Sequence, residues 1–167
     1  MEEITLIENL LATLRDYSQR VEQDYKDRLI ADDKKATGTL INSISTQVKT
    51  SNGLVYDVVI NLADYWRYVE EGRKPGKFPP PDAILKWIKV KPVIPRPYNG
   101  KVPTQKQLAF LIGRKIATEG IEPGNQLKET VDTLNAEYIP KFEAALKKDF
   151  DEYTIKVFEK IGKMSVY

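Results

Sequence analysis

Neither cysteine nor histidine occurs among the 167 residues, and each absence removes a class of chemistry. Without cysteine there is no disulfide framework and no thiolate nucleophile. Without histidine, Ser-His-Asp and Cys-His sites, the common zinc patterns and the usual general base near neutral pH are excluded. Net charge is scarce as well. Lys and Arg number 26 against 24 Asp and Glu, a balance of +2, so any electrostatic function has to come from local clustering. No run approaches the roughly 20 apolar residues that cross a bilayer. The start, MEEITLIENLL, lacks the basic opening and continuous apolar stretch of a signal peptide, so a cytoplasmic setting and no membrane are expected. No GxxxxGK[ST] or GxGxxG stretch signals a phosphate cradle.

What is present is the composition of a folded chain, 41% apolar and 30% charged, long enough for one well-buried core. Ile4, Ile7, Leu11, Leu14, Val21 and Tyr25 recur in steps of three and four, with Ser18 where another apolar residue was due. That spacing predicts an amphipathic helix from about Glu2 to Ala31. Such a helix would be roughly 45 Å long. Its stripe either pairs with the C-terminal helices or is offered to a neighbour.

Two β-rich runs follow, Ser45 to Thr50 and Leu54 to Ile60, separated by Ser51-Asn52-Gly53. Asn-Gly readily takes the positive φ angles of a tight turn, so the pair reads as a hairpin. Ala63 to Glu71 reads as a helix stopped by Gly72. After the Pro- and Gly-rich GRKPGKFPPP, Pro81-Asp82 suits the first turn of a helix whose apolar face holds Ile84, Leu85, Trp87 and Ile88. The next helix, Thr104 to Thr118, opens on a capping threonine and places Leu108, Leu111, Ile112 and Ile116 on one side. From Gln126 the pattern is helical to the end. Pro140 either kinks that helix or restarts it as a second one.

Carboxylates are the remaining catalytic candidates, and none converges. Glu70 and Glu71 are consecutive on a helix, about 100° apart, and cannot clasp one ion. Asp149 and Glu152 share a face with Lys147, Lys148 and Lys156 nearby and read as surface ion pairing. Asp32-Asp33 sit among lysines at a helix end. No catalytic residue, cofactor or metal is therefore expected.

The richest local feature is Gly72 to Lys101, with eight Lys or Arg against Asp82 alone and with Phe78, Trp87 and Tyr98 interleaved. It fits a nucleic-acid groove with stacking rings. Because Trp87 shares the apolar face of its helix with Ile84 and Ile88, it fits better as core rings among solvated lysines, or as a basic surface set against acidic groups of neighbouring subunits.

Tyr65-Trp66-Arg67-Tyr68-Val69-Glu70-Glu71-Gly72-Arg73-Lys74-Pro75 resembles a signature of tail-completion and head–tail joining proteins of tailed bacteriophages, the HK97 gp10-like group. The upstream TGxLxxSI segment of that family corresponds to Thr37 through Ile44, and a β-hairpin follows it. The family's later motifs match Lys74-Pro75-Gly76-Lys77, Pro79-Pro80 through Ile88, and Leu108 to Pro123. The order and spacing of these short motifs over about 36–125 carry the resemblance. Family members often continue after the last motif with a short apolar segment and a modest helix. Here Glu122-Pro123-Gly124-Asn125 leads into about 40 residues of helical pattern.

The resemblance implies a non-enzymatic virion protein that forms a homo-oligomeric ring in the neck or upper tail, between portal and tail proteins, with little direct contact to nucleic acid. The expected fold is α+β: a small antiparallel sheet on the 45–61 hairpin, packed by several helices, with long terminal helices. It divides into a 1–35 helix, a 36–125 core and a 126–167 helical extension within one domain. The expected contact residues are Tyr68, Glu70, Arg73, Lys74, Lys77 and Phe78, together with the stripe Ile4, Ile7, Leu11 and Leu14. Arg73 and Lys77 would meet acidic groups, and Phe78 would fill an apolar recess. The alternative is a small basic nucleic-acid-binding module using 72–101.

Overall fold

A computed structural model of the protein describes residues 7–32, 38–51, 54–90, 95, 97 and 100–164. The strand pair follows most directly from the sequence. β1 (Ser45–Ser51) and β2 (Leu54–Asn61) run antiparallel, from Ser45 opposite Asn61 to Ser51 opposite Leu54. That register leaves two residues for the connection, as the Asn52-Gly53 turn requires; the turn itself lies outside the described residues. Lys49 faces Asp57 while Thr50 faces Val55, so β2 carries one extra residue there and the ladder is bulged.

The described chain divides into two compact units that interleave along the sequence. The first holds residues up to Tyr25, the hairpin, and everything from Glu129 onward. Its helices are α1 (Glu8–Ala31) up to Tyr25 and the last helix, α6 (Gln126–Met164), from Glu129. Val21, Leu134 and Tyr138 are buried together, with Tyr17, Ile60 and Phe142 packed around them. The Tyr17 ring meets Tyr138 edge-on at 5.3 Å and Phe142 at 5.5 Å, the geometry that sets ring edges against ring faces. Both phenols keep a partner: Tyr17 donates to Asn135 at 2.8 Å and Tyr138 to Asp16 at 2.5 Å. The hairpin docks through Glu22, whose carboxylate accepts from the Thr46 backbone N–H at 3.0 Å.

The apolar stripe of α1 is the one its spacing predicts. Ile7, Ser18, Val21, Tyr25 and Leu29 are buried and Leu11 and Leu14 half-buried. Ser18 tolerates that position because its hydroxyl donates to the Arg15 carbonyl at 2.8 Å. Of the two outcomes expected at Pro140, the restart as a second helix does not occur, since α6 runs through the proline as one helix of 39 residues. The carbonyl that loses its helical donor belongs to Ala136, on an exposed turn where water can take the place of that donor.

The second unit holds Lys26–Ile44 and Leu62–Lys128. It contains α2 (Thr39–Ser43), α3 (Trp66–Glu70), α4 (Pro81–Val90) and α5 (Gln105–Glu119). α3 is shorter than the 63–71 helix expected from the sequence, and Gly72 follows it at φ 68°. Thr104 caps α5 in a reciprocal box with Gln107, whose side chain accepts from the Thr104 N–H at 2.9 Å. Ile84 and Ile88 of α4 bury against Ala109 of α5, with Leu85, Leu108 and Ile112 around them.

Two residues assigned to those apolar faces lie elsewhere. Trp87 is 39% exposed and Leu111 43% exposed. Close approach of the elements explains the difference, because small Ala109 and Gly113 occupy the centre of the α5 face. A Cβ on Gly113 would stand 2.4 Å from Cζ of Phe78, so the Phe78 ring lies directly on that glycine.

Candidate functional site

The segment that carries the basic and aromatic residues is tied to its own chain. Arg73 and Ile121 exchange both backbone hydrogen bonds, at 2.9 and 2.7 Å, and the Gly76 N–H donates to the Ala117 carbonyl at 2.7 Å. The Arg73 guanidinium donates to the Lys77 carbonyl, which closes the loop on itself. Phe78 is half-buried over Gly113, its ring 5.7 Å from that of Phe110. The apolar recess expected for Phe78 thus lies within the same unit, since a phenyl ring next to a glycine face excludes water without any neighbouring subunit.

Of the expected contact residues, Tyr68 is 64% exposed and Lys74 and Lys77 are also on the surface. Arg73 is half-buried. Ile7 is buried, Leu11 and Leu14 are half-buried, and Ile4 lies outside the described residues. Lys91, Arg96 and Tyr98 of the basic segment lie outside them too.

Glu70 is a correction. Expected at a protein contact and read with Glu71 as solvated, it is 5% exposed. One carboxylate oxygen accepts from the Leu127 N–H at 2.9 Å, in the first turn of α6. The Glu70 carbonyl also accepts from Gly124 and Asn125, at 2.9 and 3.2 Å. An anion at a helix N-terminus satisfies an orphan donor and faces the positive end of the helix dipole, which offsets the burial of its charge. The other Glu70 oxygen and Oε1 of Gln126 are buried without a hydrogen-bond partner. Gln126 uses its Nε2 instead, donating to Asp32 at 2.6 Å.

Asp149 is a second correction. Glu152 does pair with Lys148 at the surface, at 3.8 Å, but Asp149 turns inward and is 5% exposed. It accepts from the backbone N–H groups of Asn9 and Leu10 at 2.9 and 2.8 Å and from the Asn9 amide at 2.7 Å. Neither role could be read from local spacing, because the donors stand 57 and about 140 residues away.

An open, polar depression of about 590 Å³ lies beside α1 and β1, lined by Arg15, Ser18, Glu22 and Thr46 among others. Its carboxylate is already engaged by Thr46. Among the described residues no cluster of three or more Asp or Glu could hold a metal ion, and no helix is long and apolar enough to cross a membrane.

What the surface does offer is apolar area. In the second unit Tyr65, Tyr68, Val102, Phe110, Leu111 and Ile121 are each at least 40% exposed. In the first, α6 exposes Leu146, Phe150, Phe158 and Ile161. No family model matches the chain, and neither a curated protein nor a solved structure does.

Proposed function

We propose that the protein is a non-catalytic structural component of a tailed-phage virion, a ring-forming subunit of the neck, head–tail connector or tail-completion assembly. The observation that carries this reading is the exposed apolar and aromatic surface on the same stretch that bears the motif order. Tyr68, Phe110 and Leu111 stand 64%, 58% and 43% exposed there. Exposed apolar surface of this kind marks contact sites, and a ring repeats one heterologous contact around a closed axis. The loop between Gly72 and Phe78 is pinned by its own backbone bonds. It therefore holds Lys74 and Lys77 in place for acidic groups on an adjoining subunit, with little ordering entropy left to lose.

The test is the mass of the purified protein in solution, alone and mixed with the portal and tail proteins of the same virion. The wild type should enter a larger ring-shaped particle. Lys74→Ala with Lys77→Ala should keep the circular dichroism of the wild type and join that particle poorly. Arg73 is left in place because it also supports the loop. Tight, salt-sensitive retention of nucleic acid by the lone protein, with no association with virion proteins, would instead identify the basic 72–101 segment as a nucleic-acid groove.

A further inference from the structure

The last turns of α6 carry apolar side chains on the surface. Among the residues of the helix whose burial is described, Asp149 is the last buried one, and from Phe150 to Gly162 every residue is exposed or half-exposed. Yet apolar side chains continue along one strip: Leu146 at 52% exposure, Phe150 at 67%, Tyr153 at 39%, half-buried Val157 and Ile161 at 52%. Their steps of three and four make a helical stripe. It is set about 100° around the helix from the buried face that carries Tyr138, Ala145 and Asp149. Ile155 and Phe158 fall outside it. Two exposed charges flank the strip: Glu143 one turn before Leu146 and Lys160 one turn after Val157.

Those two charges decide what covers the strip. We infer that α6 pairs with α6 of a second copy of this chain, antiparallel, about a two-fold axis that passes between Asp151 and Glu152. In that register Phe150 lies opposite Tyr153 of the other copy and Leu146 opposite Val157. Glu143 then meets Lys160, and every contact is made twice. A parallel pair built on the same apolar positions sets Glu143 against Glu143 and Lys160 against Lys160, which is repulsive at both ends. Apolar layers and charges agree only in the antiparallel arrangement.

The stretch from Glu143 to Lys160 is roughly 27 Å long. A side-by-side contact of that length covers on the order of 700 Å² per copy, close to the area of specific pairing. The inference does not rest on the virion reading. An isologous two-fold contact is separate from the heterologous contacts of a ring, and either can fail without the other.

The experiment uses the full chain in sedimentation velocity across a concentration series. The wild type should form a dimer. Glu143→Lys and Lys160→Glu, both on exposed positions, should each weaken it by about tenfold or more. The double variant should recover to within about threefold of the wild type. Phe150→Glu should leave circular dichroism unchanged, since the side chain is two-thirds exposed, and should give a monomer.

Orientation is read by disulfide trapping, which is clean because the chain has no cysteine of its own. A Glu143→Cys protein mixed with a Lys160→Cys protein should cross-link to each other and not to themselves. A wild type that stays monomeric at high concentration overturns the inference, as does a double reversal that fails to rescue. Self-linked Glu143→Cys dimers overturn it in favour of parallel pairing. A monomer whose α6 strip is covered only by another virion protein overturns it as well, while leaving the virion reading intact.

Discussion

Asp149 closes the first turn of α1 by accepting the Leu10 backbone N–H at 2.8 Å, across 139 residues of chain. With Asn9 bound to the same carboxylate, one acidic side chain of α6 does the work that a residue just before α1 does in most helices. The tie joins the two terminal helices, so it supports the tertiary pairing and the helix end together.

Asp149→Ala should therefore lower stability by about 1–3 kcal/mol, the scale of a lost cap combined with orphaned buried donors. Chemical denaturation of the two proteins at neutral pH measures it. An unchanged midpoint would show that water satisfies the first turn of α1 equally well.

The same contact sets an acid limit. Burial alone raises the Asp149 pKa, but the Leu10 and Asn9 backbone donors, the Asn9 amide and the Lys148 charge more than reverse it, leaving the carboxyl below its ordinary 3.8. A depressed pKa contributes stability that is present above the unfolded value and lost as pH falls through the folded one. Wild-type stability should thus decline as pH drops below about 4, and Asp149→Asn should flatten that part of the profile.

At the alkaline end Tyr138 acts with the opposite sign. Burial, and then the hydrogen bond to Asp16, push its phenol up to about 12. A raised pKa contributes stability that is complete below the unfolded value near 10 and is lost as pH rises towards 12. Burial raises Tyr17 as well. Tyr138→Phe should remove part of the fall in stability between pH 10 and 12, leaving the share due to Tyr17, as followed by thermal melts across that window.

Glu70→Ala should destabilise the second unit by about 1–3 kcal/mol by stripping the Leu127 N–H of its acceptor. Glu70→Gln, which keeps an acceptor oxygen, should cost less. If the two substitutions shift the thermal midpoint equally, the contribution is the charge at the helix end and not the hydrogen bond.

Gly72 and Gly113 should be intolerant for different reasons. At Gly72 φ is 68° and a Cβ would meet the Ile121 carbonyl oxygen at 2.2 Å, so Gly72→Ala strains the backbone and breaks the Arg73–Ile121 pairing. At Gly113 the obstacle is the Phe78 ring. A loss of about 2 kcal/mol or more is expected for Gly72→Ala. Gly113→Ala combined with Phe78→Leu should recover part of the loss of Gly113→Ala alone, because the smaller side chain vacates the space. Thermal midpoints of the single and double variants decide both.

Sequence by itself determined those features that depend on near neighbours in the chain. The 3- and 4-residue steps of Val21, Tyr25 and their stripe define the buried face of α1, and Thr104 with Gln107 defines the start of α5. Two β-rich runs joined by the two-residue Asn52-Gly53 link set the hairpin pairing from Ser45–Asn61 to Ser51–Leu54. These follow from propensity and periodicity, which act over one or two turns. Tertiary structure alone decided the destinations of Glu70 and Asp149. Flanked by other charges, each reads locally as a surface carboxylate. Each is buried because an unsatisfied helix N-terminus arrives from a distant part of the chain and supplies the donors that a buried anion requires. It also decided that Gly113 and Ala109, not Leu111, face α4. Periodicity marks an apolar side of a helix, but the distance to its neighbour determines which residues of that side can fit.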